Sequence, residues 1–212
     1  MNDPRLNNLL RWGVENSEAT RNDPALAGEQ PKSNITPEML AALMGGPSDA
    51  ELMRESMRAI TSEETDLENK LTAFDNFEQL VEQIDNANNI EPLGLWKPLL
   101  SQLESEEAEL RRMAAWCVGT AVQNNVKAQE KLLEHDAIPT IVRLAVGEPN
   151  QAARKKAINA LSSATRNFQP GLDAALQHLP DSYHGGKKLD ATSMDDVDSI
   201  ITKMREENAA TA

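Results

Sequence analysis

The chain has 212 residues, of which 34 are acidic and 21 basic, and its net charge is -13 at pH 7. Such a balance excludes general nucleic-acid binders, whose affinity comes from lysine and arginine against phosphate. The single cysteine cannot form an internal disulfide. The longest uncharged stretch, residues 113–126, is too short to span a membrane, and the first ten residues lack the apolar core of a signal peptide. We therefore expect a cytoplasmic protein.

The charge is unevenly distributed along the chain. Residues 48–110 carry 16 acidic and 4 basic side chains, a balance of -12, whereas residues 111–185 carry 6 acidic and 9 basic ones, a balance of +3. A solvated surface accounts for this distribution, and so do two regions that steer one partner electrostatically. The sequence leaves both interpretations open.

The N-terminal part of the chain predicts two short helices separated by a polar segment. Apolar residues at helical spacing predict an amphipathic helix over residues 3–15. Residues 16–34 have little to bury, which is typical of a disordered linker, and we interpret residues 1–34 together as a flexible segment. A second helix is expected over residues 36–44, before a Gly-Gly-Pro stop. The apolar residues of the first helix are Leu6, Leu9, Leu10 and Val14.

Two capping boxes predict the next pair of helices. Ser48 with Glu51 starts the first helix, and Thr65 with Glu68 starts a longer one that we expect to include Ile84. No segment alternates apolar and polar residues at strand spacing, so the sequence predicts an all-α protein.

An internal repeat of 43 residues predicts the architecture. Two Ala-rich helices match at this offset, and between them a turn leads into an apolar helix that starts at Pro139. An earlier copy is recognisable around Pro98. This order resembles the armadillo repeat. We predict a right-handed armadillo solenoid of about two to three repeats over residues 35–180, with the helices of residues 48–87 as its N-terminal cap and flexible termini. The matched pairs are Arg111 with Arg154, Ala114 with Ala157, Ala121 with Ala164, and Asn124 with Asn167.

Residues 181–212 are interpreted as a tail that contains one more amphipathic helix. Ser193 with Asp196 forms its start signal. This helix either docks on the last repeat as a lid or lies loosely beside it. Its apolar residues are Val197, Ile200, Ile201 and Met204.

The sequence contains no recognisable catalytic constellation. The three histidines are not placed at metal-ligand spacing, and Cys117 lies in an Ala-rich helix, which favours a buried structural thiol. The Gly-Gly pairs lack the spacing of phosphate-binding loops. We therefore expect no catalysis, no cofactor and no metal, and favour a protein-binding module. The histidines are His135, His178 and His184.

Amide side chains recur where the long helices are expected to end. In a solenoid such ends stack into a row, and amides both donate and accept hydrogen bonds, which favours a partner-binding surface. Helix capping is the alternative interpretation, and the two are evenly balanced for Asn89, Asn125 and Asn167. The predicted partner-binding residues are Asn86, Ala87, Asn88, Asn89, Gln123, Asn124, Asn125, Arg166 and Asn167.

Several strings of residues are similar to one family. Residues 9–17, Leu-Leu-Arg-Trp-Gly-Val-Glu-Asn-Ser, resemble the N-terminal motif of the fungal armadillo-type nucleotide-exchange factors of the Hsp70 chaperone. The resemblance covers about residues 6–17 and 48–168, and its further strings are Glu51–Met57, Lys70–Glu78, Asp85–Ile90 and Gly119–Asn125. It implies a cytosolic factor that grips the Hsp70 nucleotide-binding domain and speeds ADP release, and we expect a monomer that binds neither nucleic acid nor membrane.

The resemblance also implies where the partner binds. It places the Hsp70 contact near Ala87, so Ala87→Arg is expected to abolish binding while leaving the helix content intact. It further implies a client-release role for the N-terminal segment, which we expect to enter the peptide cleft of the chaperone. A helix that folds back on the solenoid is the alternative. The residues of this client-release segment are Leu9, Leu10, Trp12, Asn16 and Ser17.

A different armadillo module, such as a nuclear-import adaptor for basic peptides, is the alternative function. Import adaptors repeat a Trp followed four residues later by an Asn. Here Trp116 is followed by Thr120, and Asn159 stands at the place of Trp116 in the next repeat. About three repeats also form only a short groove, which makes this alternative the weaker one.

Overall fold

A computed structural model describes residues 46–210, and in this range all regular structure is helical. The prediction of an all-α, armadillo-like helical solenoid is confirmed. The helices predicted over residues 3–15 and 36–44 lie outside the described residues. The helices are α1 (Asp49–Thr61), α2 (Leu67–Val81), α3 (Ile84–Asn89), α4 (Trp96–Ser101), a 3₁₀ turn (Gln102–Glu104), α5 (Ala108–Val122), α6 (Val126–Glu134), α7 (Ile138–Gly147), α8 (Gln151–Thr165), α9 (Gln169–His178), α10 (Asp181–His184) and α11 (Met194–Ala210).

Helices α2 and α5 lie side by side, parallel and in register. The Sγ of Cys117 is 3.7 Å from the carbonyl oxygen of Phe74, which lies 43 residues earlier. The Thr120 hydroxyl donates a 2.7 Å hydrogen bond to Oε1 of Glu78, which lies 42 residues earlier. The second contact lies closer to the C-terminus than the first on both helices, so the two helices are parallel. Helix α2, which the sequence assigned to the cap, therefore continues the repeat toward the N-terminus.

Helices α5 and α8 continue the same row in the same direction. The Nζ of Lys156 lies 3.4 Å from the centre of the Trp116 ring. One turn further on, a Cβ added to Gly119 would lie 3.1 Å from the Cα of Ala160. The backbones of α5 and α8 are therefore so close here that a side chain at position 119 would be crowded. The small residues of the repeat thus allow close packing of neighbouring helices.

Equivalent arginines near the starts of α5 and α8 join neighbouring segments of the solenoid. Nη1 of Arg111 donates to the carbonyl oxygen of Ser105 at 2.7 Å, and Nη1 of Arg154 donates to that of Glu148 at 3.0 Å. The two arginines are 43 residues apart in the sequence, and so are the two residues whose carbonyl groups accept these hydrogen bonds. Nε and Nη2 of Arg111 also hold the Glu148 carboxylate at 2.7 Å each. In the last repeat, the Nε of Arg154 instead donates to Oδ1 of Asn208 in α11 at 2.7 Å.

Helix α11 packs antiparallel on α8 and covers the end of the row. Its C-terminal Asn208 lies near the start of α8, whereas its Asp198 pairs with Arg166 just beyond the end of α8. The Ser193 hydroxyl accepts a 3.3 Å hydrogen bond from the Asp196 amide, which confirms the predicted start signal. Of the two arrangements expected for this helix, docking is the one observed. The predicted apolar residues Val197, Ile200, Ile201 and Met204 are all buried.

Two predictions about α2 are wrong. Asp66, not Thr65, caps the helix, because its Oδ1 accepts a 2.9 Å hydrogen bond from the Asn69 amide. The helix also ends at Val81 and does not include Ile84, because the extended backbone of Gln83 interrupts it. This break starts a separate helix, α3, whose first side chain is exposed.

The ion pair between repeats predicts a stability test. The Glu148 side chain is only 2% exposed, so Glu148→Ala leaves a largely buried Arg111 without its partner. We expect the free energy of unfolding in urea to fall by about 3 kcal/mol. Glu109→Ala, which removes the exposed partner of Arg112, is the control and is expected to cost about 1 kcal/mol or less. Equal losses in the two variants would contradict a structural role for this pair.

The same pair has a defined pH dependence. The hydrogen bond from Arg111 lowers the pKa of Glu148 in the folded protein. A carboxylate with a lowered pKa stabilises the fold above its unfolded-state pKa of about 4.3 and loses that contribution as the pH falls through the folded-state value. The stability difference between the parent protein and Glu148→Ala should therefore shrink below about pH 4.

Candidate partner-binding surface

The C-terminal ends of α2, α5 and α8 lie along one edge of the protein, because the three helices are parallel and in register. Each end leads through a short turn into the next short helix, α3, α6 or α9. We name the surface formed by residues 82–84, 123–126 and 166–168 the amide edge. Most of the predicted binding residues lie on it or directly beside it.

Asn124 and Asn167 occupy equivalent positions on the amide edge. Their φ angles are 53° and 55°, in the left-handed region that asparagine tolerates better than most residues. They end α5 and α8 much as glycine ends many helices, which supports the capping interpretation for their backbones. Both residues are exposed, as is Gln123. Their side-chain amides therefore remain available to a partner.

Asn125 makes its hydrogen bonds inside the protein. It is buried and caps the start of α6, where its Oδ1 accepts a 3.4 Å hydrogen bond from the Ala128 amide. Its Nδ2 donates to the carbonyl oxygen of Ala121 at 3.3 Å. Its side chain thus satisfies a carbonyl group at the end of α5 and an amide group at the start of α6, so Asn125 caps both helices.

The string around Ala87 does not end a long helix as expected, because it forms α3. Asn86 is buried, and its Nδ2 donates to Oδ2 of Asp49 at 2.8 Å and to the carbonyl oxygen of Leu80 at 3.0 Å. Ala87 is only 2% exposed and belongs to the core. The outer residue Asn89 is exposed, which makes it the better candidate for direct contact.

Asn88, between them, is half-buried. Its Oδ1 is buried and has no hydrogen-bond partner within residues 46–210. An unsatisfied buried oxygen costs about 1–3 kcal/mol. A partner that supplied a donor after a small local shift would recover part of this cost.

Arg166 is already engaged inside the protein. Its Nε donates to the Ser162 hydroxyl at 3.0 Å, and its Nη2 pairs with Asp198 of α11. Its Nη1 lies 3.4 Å from Sδ of Met194. The guanidinium therefore holds the start of α11 against the end of α8. Its positive charge is already paired with the Asp198 carboxylate within the chain.

Apolar side chains on this edge were missed by the sequence analysis. Ile84 and Val126 are the first residues of α3 and α6, and they are 58% and 50% exposed. Met194, the first residue of α11, is 54% exposed. The 42-residue spacing of Ile84 and Val126 is a signal that was visible in the sequence.

Within residues 46–210, the exposed face of the helix row does not carry the repeated Trp and Asn pairs of an import adaptor. Lys156 covers the Trp116 ring, and burial lowers the pKa of this lysine. Asn159, at the place of Trp116 in the next repeat, accepts a 3.3 Å hydrogen bond from Arg205 of α11. Both side chains that would define the adaptor groove are thus occupied within the chain.

Cysteine, histidine and carboxylate side chains are the groups that catalysis or metal binding most often uses. Cys117 is fully buried, as predicted, and burial raises the pKa of its thiol well above the usual value. Across residues 46–210, no group of three His, Cys, Asp or Glu side chains is placed to hold a metal ion. No helix in the same range is long and apolar enough to cross a membrane. The predicted client-release residues Leu9, Leu10, Trp12, Asn16 and Ser17 lie outside the described residues.

Comparison with known families and proteins gives consistent matches. The family model described as "Nucleotide exchange factor Fes1" matches residues 6–90, and the model of the "SIL1/FES1/HPBP1 C-terminal domain" matches residues 86–179. The chain is 56% identical to "Hsp70 nucleotide exchange factor FES1" of Gibberella zeae, over 97% of this chain and 98% of the relative. The protein of that name from Coccidioides immitis is 47% identical over 96% and 98%.

A longer relative and one solved structure extend the comparison. The Saccharomyces cerevisiae protein of the same name is 42% identical over 77% of this chain and 57% of its own length. The crystal structure of an engineered protein is similar with a TM-score of 0.57, at 16% identity, over 82% of this chain and 72% of that one. This last likeness concerns the fold alone.

The burial of Ala87 changes the outcome expected for its substitution. Ala87→Arg places a charged side chain in the core, so we expect a loss of several kcal/mol in unfolding free energy rather than an intact fold. Asn89→Arg, two residues away on the exposed side, should change it by about 0.5 kcal/mol or less. Thermal unfolding followed by circular dichroism compares them. An unchanged melting temperature for Ala87→Arg would contradict the packing of α3.

Proposed function

The chain belongs to the Fes1 family of nucleotide exchange factors, and from this we propose that it is a nucleotide exchange factor for Hsp70. The observation that carries the proposal is the 56% identity to the Gibberella zeae exchange factor across nearly the whole of both chains. We further propose that it acts in the cytoplasm as a monomer. It would bind the Hsp70 nucleotide-binding domain through the amide edge.

Exchange of this kind requires no reacting residue in the factor. A binding surface that fits the open nucleotide cleft better than the closed one shifts the equilibrium toward the open form, from which ADP leaves. By linkage, nucleotide must weaken the binding of the factor to the same extent. A preference of about 1.4 kcal/mol for the open form corresponds to a tenfold shift.

The amide edge suits this task because its turns are held in place before binding. Nε2 of Gln129 donates to the carbonyl oxygens of Ser163 and Arg166, at 2.8 and 3.1 Å, and so joins α6 to the end of α8. The Asn167 amide donates to the carbonyl oxygen of Ala191 at 2.9 Å. A surface ordered in advance loses less conformational entropy on binding.

We also propose that the N-terminal segment promotes client release. Leu9, Leu10 and Trp12 form an apolar group with Arg5 and Arg11 nearby, which is similar to the peptides that Hsp70 holds. Occupation of the peptide cleft by this group would hinder rebinding of a released client. The activity would add to ADP release and would use a different part of the chaperone.

Removing the amides without disturbing their turns tests the proposed contact. Asn124→Gly and Asn167→Gly keep the left-handed backbone, which glycine adopts readily. Stopped-flow release of a fluorescent ADP from Hsp70 should be accelerated by the parent protein. We expect the double variant to need about tenfold more protein for the same rate, because up to two hydrogen-bonding groups are lost.

Asp136→Gly is the matched control, because Asp136 has a φ of 52° but follows α6, away from the amide edge. It should leave the exchange rate unchanged. No acceleration by the parent protein would refute the exchange function itself. Full activity of the double variant would refute only the placement of the contact.

Deletion of residues 1–34 separates the two proposed activities. Because the described helices start after this segment, we expect the shortened protein to release ADP at the parent rate. We expect it to release a labelled client peptide more slowly, since the cleft-binding group is gone. Fluorescence anisotropy of the peptide measures that step. Loss of both activities, or of neither, would contradict the proposed division.

A further inference from the structure

Exposed aliphatic side chains are concentrated at one place in this protein. Single exposed apolar residues are common on protein surfaces and do not by themselves indicate a binding site. Here four large hydrophobic residues are exposed within residues 46–210, and three of them, Ile84, Val126 and Met194, begin α3, α6 and α11. The fourth, Leu67, begins α2 and is 40% exposed.

The first three lie on one edge, and Leu67 does not. Ile84 follows the end of α2, and Val126 follows the end of α5. Because α2 and α5 are parallel and in register, both side chains lie at the same end of the row. Met194 joins them, because α11 is antiparallel to α8 and Sδ of Met194 lies 3.4 Å from Nη1 of Arg166. Leu67 begins α2 and so lies at the opposite edge.

The spacing of these side chains indicates the size of what they bind. Ile84 and Val126 occur in successive repeats, and packed helices are about 8–10 Å apart. With Met194 one helix beyond α8, the apolar positions span more than 20 Å, estimated from that helix spacing. A partner that contacts all three positions must reach across the whole edge, and a folded domain is wide enough to do so. A second copy is a poor occupant, because each chain carries a net charge of -13.

Polar groups flank two of the apolar positions. Gln83 precedes Ile84, and the exposed Gln123 and Asn124 lie just before Val126. Aliphatic side chains at the centre of a contact, with hydrogen-bonding groups around them, are the usual arrangement of a specific protein interface. The apolar positions therefore complete the amide edge as a binding surface.

We propose that Ile84, Val126 and Met194 are the apolar anchors through which the amide edge binds the Hsp70 nucleotide-binding domain. The anchors bury against apolar depressions of that domain, and the amides bind its polar groups. This inference rests on the proposed exchange function and identifies the side chains that give the contact most of its affinity. The chemistry required of the partner is a folded surface with apolar depressions at the spacing of the three anchors.

Serine substitutions test the anchors, because a hydroxyl keeps the surface polar and these side chains contribute little to the core. We expect Ile84→Ser and Val126→Ser each to weaken binding to the isolated nucleotide-binding domain about tenfold, and the double variant about a hundredfold. ADP-release rates should fall in parallel. Leu67→Ser is the control and should change affinity by less than twofold. Unchanged melting temperatures establish that the variants remain folded.

The outcomes separate this inference from the function on which it rests. If the parent protein accelerates ADP release while the two serine variants bind within twofold of it, the anchors are refuted and the exchange function stands. Equal losses in Leu67→Ser and in the anchor variants also refute the anchors, because the effect is then not confined to the edge. A parent protein that neither binds Hsp70 nor releases ADP refutes both proposals.

Discussion

The parallel, in-register packing of α2, α5 and α8 determines where the other features of the protein lie. It depends on close backbone approach, which the absence of a side chain at Gly119 beside Ala160 illustrates. Because the helices share one direction, their C-terminal ends meet at one edge. Exposed amides and aliphatic side chains that are about 43 residues apart in the sequence thereby become neighbours. A shift in register would separate them without changing any single helix.

The row is stabilised along its other edge and closed at its end. Arg111 and Arg154 make equivalent hydrogen bonds near the starts of α5 and α8, so the two edges of the row have different roles. Helix α11 supplies Asn208 to Arg154 and Asp198 to Arg166, one near each end of α8. A helix of reversed direction thus covers the face on which another repeat would otherwise stack. Its first residue, Met194, extends the apolar positions of the amide edge.

The sequence predicted the features that depend on periodicity and missed those that depend on tertiary contact. The 43-residue offset located α5, α8 and the helices between them, and the start signal at Ser193 located α11. The burial of Ala87 was missed, because α3 is a separate helix only through the extended backbone of Gln83. The capping of α6 by Asn125 was missed for a similar reason, since an asparagine between two helices can cap either one. Side-chain burial at such junctions follows from packing and not from local pattern.

Hydrogen–deuterium exchange of the protein, alone and bound to nucleotide-free Hsp70 nucleotide-binding domain, tests the central claim that one edge of the row carries the contact. Backbone amides of the amide edge, residues 82–84, 123–126 and 166–168, should exchange more slowly in the complex. Those at the opposite edge, residues 105–107 and 148–150, should be unchanged. Protection confined to the opposite edge, or absent from both, would contradict the account.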